Sequence, residues 1–167
     1  MTRPVEVEFT EFVAGRGPAL LRAAYALTGE EHAAHDLVQT ALAKAFVRWR
    51  HIRTGPEQYV RRIMYNSHIS AWRSFRRREV PVADVPDRAA TGDAGGSTDL
   101  RLALRDALRR LPPRQRAIVV LRFLEDVSVE ETARILGCRV GTVGSQTSRA
   151  LAKLRAVFHE LEREAVR

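Results

Sequence analysis

The sequence predicts an all-α fold class: two small helical domains, a four-helix unit and a helix-turn-helix unit, joined by a flexible acidic linker. Three observations predict it. Apolar residues recur at a 3.6-residue period in both ends of the chain, and strand-like alternation is absent. A middle segment lacks large apolar residues. Charge follows the same division. The 167 residues hold 28 Lys and Arg against 20 Asp and Glu, a net of +8. Residues 1–78 and 100–167 each carry +6, whereas residues 79–99 carry −4 together with three glycines and two prolines. That segment has too little apolar surface to offset its ordering entropy, so 79–99 reads as a tether between domains 1–78 and 100–167.

In the first domain, a helix is expected from about Val5 to Ala14, with a break at Gly15–Pro18. Pro18 then suits the start of a second helix that turns Leu20, Leu21, Ala24, Tyr25 and Leu27 inward. Thr28 and Glu31 have capping-box spacing and open a third helix to about Trp49. Its apolar stripe is Leu37, Val38, Ala41, Leu42, Ala45, Phe46 and Trp49, with Asp36, Gln39, Thr40, Lys44 and Arg48 on or beside the other face. Gly55-Pro56 marks the turn into a fourth helix, from Glu57 to about Arg78.

The fourth helix interleaves charge with rings. Val60, Ile63, Met64, Ser67 and Ala71 form the expected packing stripe. Arg61, Arg62, Tyr65, Asn66, Arg73, Arg76 and Arg77 are expected to face outward. Rings beside guanidinium groups suit single-stranded nucleic acid, because bases stack while Arg follows phosphates. The alternative use of a ring is to complete the core. That reading is preferred for Trp72 and Phe75, and the outward one for Tyr65.

The second domain is punctuated clearly. Pro112 and Pro113 open a helix with Ala117, Ile118, Val120, Leu121 and Leu124 on its apolar face. Ser128 and Glu131 form a capping box, Gly137 ends the helix they open, and another restarts near Val140. A short helix, a glycine turn and a longer helix are the parts of a DNA reader. On the last helix Val140, Val143, Thr147, Ala150, Leu151 and Leu154 share the packing side. Gly141, Thr142, Ser145, Ser148, Arg149 and Lys153 fall opposite, small and basic enough to enter a major groove.

Composition narrows the partner. A pI near 10.8 favours a polyanion, either nucleic acid or an anionic membrane surface. No apolar run approaches the about 20 residues a transmembrane helix needs, and the start lacks a signal-peptide core. The single Cys138 cannot form an internal disulfide or a cysteine-rich zinc site, and a cytoplasmic location is expected. A metal enzyme is one rival, since His32, His35 and Asp36 lie on adjacent helical turns. His51, His68 and His159 are isolated, so no metal, cofactor or catalytic site is expected. An operator-binding repressor is the other rival. It would normally dimerise over two half-sites, and no heptad or apolar helix for that purpose is present.

Several motifs, in order, resemble one family. Asp36-Leu-Val-Gln39 is similar to a core-polymerase-binding segment. Tyr59-Val-Arg-Arg-Ile63 through Asn66, with Arg73 to Arg78, is similar to a segment that melts and reads a minus-ten element. Leu111-Pro-Pro-Arg-Gln-Arg116, Leu121-Arg122, Glu125-Asp126-Val-Ser128, Glu131 and Gly141-Thr-Val143 are similar to a minus-thirty-five reader. The chain therefore resembles an extracytoplasmic-function (ECF) sigma factor of the sigma-70 family of bacterial RNA polymerase, and within it the actinobacterial sigma-E-type subgroup. The likeness covers nearly the whole chain, and the short linker in place of a central domain points to the compact ECF group.

The resemblance implies a promoter-specificity subunit without catalysis of its own. It implies docking on the β′ and β subunits of core polymerase through Asp36, Gln39, Thr40 and Lys44. It assigns the minus-ten element to Arg61, Arg62, Tyr65, Asn66, Arg73, Arg76 and Arg77. It assigns the minus-thirty-five duplex to Arg139, Thr142, Ser145, Gln146, Ser148, Arg149 and Lys153. Core polymerase and promoter DNA are the implied partners, an anti-sigma factor is left open, and no membrane insertion is expected. The sequence departs from the family pattern at His35 and Thr40, where glutamates are usual, at Ser70, often Asp, and at Gly144 and Gln146, where Lys and Arg are common.

Overall fold

The structure is a computed structural model that describes residues 3–53, 55–77 and 96–167, with side chains from residue 99 in the last stretch. Among these residues every regular element is helical: α1 (Val5–Thr28), α2 (Glu31–Arg48), α3 (Pro56–Arg77), α4 (Gly96–Arg109), α5 (Pro113–Val119), α6 (Val129–Leu136) and α7 (Val140–Ala165). The acidic linker lies outside the described residues up to residue 95, as do Thr54 and Arg78. Helix α4 begins at Gly96, four residues inside the expected linker.

Among the described residues the N-terminal half has three α-helices rather than four, with a short 3-10 turn at Trp49–His51 after α2. Gly15–Pro18 does not break α1, which runs through Pro18 to Gly29. A proline inside a helix costs ~3 kcal/mol locally. Burial on both sides of it holds the rod together. Phe9 and Phe12 pack on Trp49 with ring centroids 5.0 and 5.1 Å apart, and Leu20, Ala23, Ala24 and Leu27 are buried beyond it. Tyr25 and Phe46, expected inside, are substantially exposed. Gly29 ends α1 at φ 72, its N–H donating to the Tyr25 carbonyl at 2.7 Å. The expected Thr28–Glu31 capping box is therefore not made. Thr28 still belongs to α1 and donates to the Ala24 carbonyl at 2.9 Å, while Glu30 holds the N-cap position of α2 without a side-chain bond.

In the C-terminal half the expected caps form. Ser128 Oγ accepts from the Glu131 N–H at 3.1 Å to start α6, and Gly137 ends it at φ 62. Helix α5 widens at its end into a π-helical turn, Val120–Leu124, closed by Glu125 N–H donating to the Val120 carbonyl at 3.0 Å. Asp126 follows in the left-handed region, φ 52, where aspartate is among the few side chains tolerated. The wider turn leaves Leu124 exposed rather than on the expected apolar face.

The two halves share a core. Val60, Met64 and Tyr65 of α3 belong to one buried cluster with Ile118, Leu121, Val127 and Ile135 of the C-terminal half. A second cluster joins Leu108 and Leu111 to Val119, Ala150, Leu154 and Val157. Arg116 pins the seam. The residue is 8 % exposed, and its guanidinium donates to the carbonyls of Leu27, Leu108, Arg109 and Leu111 at 2.6–3.0 Å, tying the ends of α1 and α4 to α5. A side chain at Gly29 would meet Arg109, with a Cβ only 2.6 Å from that residue's Cδ, so glycine there also permits close approach of the halves.

Candidate nucleic-acid interface

The α6–turn–α7 unit presents its reading face to solvent. Val143, Ala150 and Leu154 are buried on the inner side, with Thr147 and Leu151 half-buried. Val140 does not join them. It is 48 % exposed, because the turn after Gly137 places the first residue of α7 beyond the core. Arg139, Ser145, Ser148, Arg149 and Lys153 are exposed, and Thr142 and Gln146 are half-buried. Gln146 accepts from Gln115 Nε2 at 3.1 Å, which fixes its carbonyl end against α5. No carboxylate occurs from Arg139 to Lys153. Gly144 is exposed with nothing within 4 Å of an added Cβ, so a larger side chain fits without displacing a neighbour.

Helix α2 shows its other candidate face equally openly. Asp36, Gln39, Thr40 and Lys44 are all exposed, while Ala34, Val38, Ala41 and Ala45 pack inward. Phe46 and Val47 extend this exposed face with apolar surface. Glu31, His32, His35 and Asp36 remain spread along the helix. Among the described residues no group of three metal-ligating side chains converges.

Helix α3 departs from expectation. Tyr65, expected outward, is 0 % exposed. Its hydroxyl donates to Glu125 Oε2 at 2.5 Å. Arg61, only 18 % exposed, donates through Nε to the other oxygen of Glu125 at 3.2 Å and pairs with Glu57 at 3.0 Å. Asn66 donates through Nδ2 to the Ile135 carbonyl at 2.9 Å and to the Arg62 carbonyl at 2.8 Å. The packing stripe predicted on α3 is correct at Val60, Ile63 and Met64. The helix nevertheless has a second buried side, because the C-terminal half lies on it. Burial, then the neighbouring Glu125 carboxylate, hold the Tyr65 hydroxyl well above its ordinary pKa, so it remains a donor.

The rings at the far end reverse in the same way. Trp72 and Phe75, read as core, are exposed, and so is Ala71. The Arg76 guanidinium lies 4.8 Å from the Trp72 ring centroid, and Arg73 and Arg77 are exposed beside it. This end of α3 is a solvated array of rings and cations. Between the two ends, Tyr59, Arg62, Ile63, Asn66, Ser67 and Ser70 line a shallow cleft with Lys44 of α2, whose Nζ reaches Ser67 Oγ at 3.5 Å.

Comparison with known proteins agrees with this arrangement. The family model for sigma-70 region 2 matches residues 12–79, and that for sigma-70 region 4 matches residues 101–154. The chain is 40 % identical to the RNA polymerase sigma-E factor of Streptomyces avermitilis, over 95 % of this chain and 89 % of that one. It is 34 % identical to the ECF RNA polymerase sigma factor EcfG of Rhodopseudomonas palustris, over 85 % of this chain and 80 % of the relative. The fold is similar to that of the sigma factor RpoE of Bartonella quintana, solved with the anti-sigma factor NepR. The TM-score is 0.71, at 26 % identity, over 91 % of this chain and 97 % of the other. With two region models in the expected order and full-length relatives on both sides of 35 % identity, the chain belongs to the sigma-70 family of RNA polymerase sigma factors, in its extracytoplasmic-function group.

Proposed function

We propose a division of labour by helix for a protein that binds core RNA polymerase and directs promoter-specific initiation. Helix α2 docks on the β′ subunit through Asp36, Gln39, Thr40 and Lys44. Helix α3 handles the minus-ten element: the cleft beside Asn66 and Arg62 receives an unpaired base, and Arg61, Tyr65, Arg73, Arg76 and Arg77 hold its strand. Extruding a base costs a few kcal/mol, and contacts along α3 must offset that cost. Helix α7 enters the major groove of the minus-thirty-five element with Arg139, Thr142, Ser145, Gln146, Ser148, Arg149 and Lys153. The domains that do this are 1–78 and 100–167, with 79–99 as their link.

The observation that carries this reading is the outer face of α7, free of carboxylates as far as Lys153 and set at a fixed angle by the Ser128 cap and the Gly137 turn. The chain supplies specificity and the polymerase supplies catalysis, which places both in the cytoplasm. Among the described residues, no helix is long and apolar enough to cross a membrane. An anti-sigma partner is supported by a groove between α1 and α4. Leu21, Ala26, Leu104 and Leu108 line it with apolar surface, and Arg22, Arg101 and Arg105 outnumber the one carboxylate in its lining, Glu31 of α2. An amphipathic helix with acidic flanks has the shape and charge for it.

Co-purification with core polymerase, run-off transcription and sequencing of the bound promoters test the proposal. Specific initiation only with core polymerase is the expected result. Tight sequence-specific duplex binding by the isolated chain, without affinity for core polymerase, would overturn it in favour of an operator-binding repressor.

A further inference from the structure

We infer that Gln115 of α5 sets the base preference of Gln146 on α7: by holding the carbonyl end of the Gln146 amide, it leaves that side chain able only to donate to DNA. This role rests on the proposed placing of α7 in the minus-thirty-five groove. A free glutamine has a donor end and an acceptor end, and its usual pairing in the major groove uses both at once, on N6 and N7 of adenine. Gln146 is not free in that sense. Its Oε1 accepts from Gln115 Nε2 at 3.1 Å. What remains for a partner outside the protein is Nε2 with its two N–H groups. Guanine presents two acceptors to such a group, N7 and O6, and thymine presents O4, whereas cytosine presents only a donor. Adenine sets a competing donor beside its one acceptor. Held in this way, Gln146 favours a guanine or thymine edge and rejects cytosine.

The surroundings of the pair support this assignment. Gln115 is 7 % exposed, and among the described residues its own Oε1 is buried without a hydrogen-bond partner. An unpaired buried carbonyl costs stability that an apolar side chain of similar length would not. Packing alone therefore gives no reason for an amide at this position of α5. The bond it makes reaches the one side-chain amide of α7. Val119 of α5 packs with Ala150 and Leu154 of α7, so the bond runs between two helices fixed against each other. Gln146 lies in the second turn of α7, among the N-terminal residues that meet base edges when such a helix enters a groove. The hydroxyls near it fold back on their own helix. Ser145 Oγ donates to the Thr142 carbonyl at 3.1 Å, and Ser148 Oγ donates to the Gly144 carbonyl at 3.3 Å. The Gln146 amide is thus the uncharged donor that this stretch of the face offers to a base.

Base preference at single positions tests the pair. A promoter recovered with wild-type holoenzyme is rebuilt with each of the four base pairs at every minus-thirty-five position, and the duplexes compete for holoenzyme. Gln146→Ala should level the preference at one position, which marks the base that Gln146 meets. There, wild type should favour guanine or thymine over cytosine on one strand by about fivefold or more. Gln115→Met frees Oε1 of Gln146, so adenine on that strand should gain about fivefold relative to guanine, at the marked position alone. Gln146→Glu keeps an acceptor for Gln115 Nε2 and turns a second carboxylate oxygen outward, so the favoured pair should reverse to cytosine on that strand. Gln115→Met also removes the unpaired buried carbonyl, and calorimetry should give it a Tm equal to or above that of wild type. An unchanged preference at the marked position in Gln115→Met would overturn the role of Gln115. So would uniform loss at every position with a lower Tm, which is what a merely structural bond predicts. No position levelled by Gln146→Ala, or the same favoured pair for wild type and Gln146→Glu, would overturn the donor reading of Gln146. Failure of wild-type holoenzyme to recover any specific promoter would overturn the sigma reading itself, whereas specific promoters with an unmoved Gln115→Met profile remove only the role of Gln115.

Discussion

The two helices expected to read DNA are alike in composition and opposite in circumstance. Helix α7 carries Arg139, Arg149 and Lys153 on an open face, and its inner side packs within its own domain. Helix α3 carries more arginines, but its first half is bonded to Glu125 and Ile135 from the other end of the chain. A basic amphipathic helix thus announces that it can bind an anion, and not which anion it holds. On α7 the basic side chains are open to solvent. On α3 part of the basic face is occupied by the protein's own carboxylate.

The largest expected effect breaks the comparison at its seam. Arg116→Met leaves four carbonyls at the junction of α1, α4 and α5 without their donor. The loss should be about 3 kcal/mol or more, a fall of roughly 10 °C in Tm by calorimetry. Because one cluster spans both halves, wild type should melt in a single transition and the variant in two. A single transition at the wild-type temperature would mean that Arg116 does not join them.

Next in size is the open face. Arg149→Ala should weaken holoenzyme binding to the minus-thirty-five duplex by roughly 1–3 kcal/mol if it reads a base, with relaxed preference at one position. Uniform weakening across sequences, with a salt slope shallower by about 0.9, would make Arg149 a phosphate contact instead.

The seam also predicts a pH dependence. Burial, with Arg116 nearby, lowers the His68 pKa from 6.5 to about 4. The unfolded chain therefore binds the proton more readily than the folded one between these values. Stability from this group is complete above pH 6.5 and is lost as pH falls toward 4. Chemical denaturation at pH 7 and pH 5 should show a smaller difference for His68→Gln than for wild type. Equal differences would place His68 in water.

The smallest effect sharpens the reading of α7. Gly144→Lys has room for its side chain and removes a helix-interior glycine, so the helix should gain about 0.5–1 kcal/mol. Promoter binding should tighten almost equally across sequences, with a salt slope steeper by about 0.9 for one new phosphate contact. If the variant is more stable but no longer binds, the glycine serves a close approach to DNA.

Local signals were read well from the sequence where the structure uses local chemistry. The Ser128 cap, the Gly137 turn, the start of α7 and the extent of α3 all depend on residues within a few positions of one another. The failures involve distant partners. Nothing near Pro18 reports that Phe9 and Phe12 will meet Trp49, so an unbroken α1 could not be foreseen. Nothing near Tyr65 reports Glu125, sixty residues away. The periodicity of α3 contains both buried sides, but a pattern of rings and arginines reads identically whether a base or a second domain covers it. Trp72 and Phe75 were misplaced for the converse reason. Their bulk suggested a core, but among the described residues both rings at the last turns of α3 remain exposed.

Helix α3 ends at Arg77 and α4 begins at Gly96, with eighteen residues between them. Fully extended, that stretch reaches at most about 65 Å. Promoter elements centred roughly 25 base pairs apart are separated by about 85 Å along B-form DNA. The link alone therefore falls about 20 Å short of that span, and the bodies of the two domains supply the remainder, since the 26-residue α7 by itself is about 39 Å long. Chain length thus sets a ceiling on the separation the two helices can serve, and each residue removed from the link lowers that ceiling by about 3.6 Å.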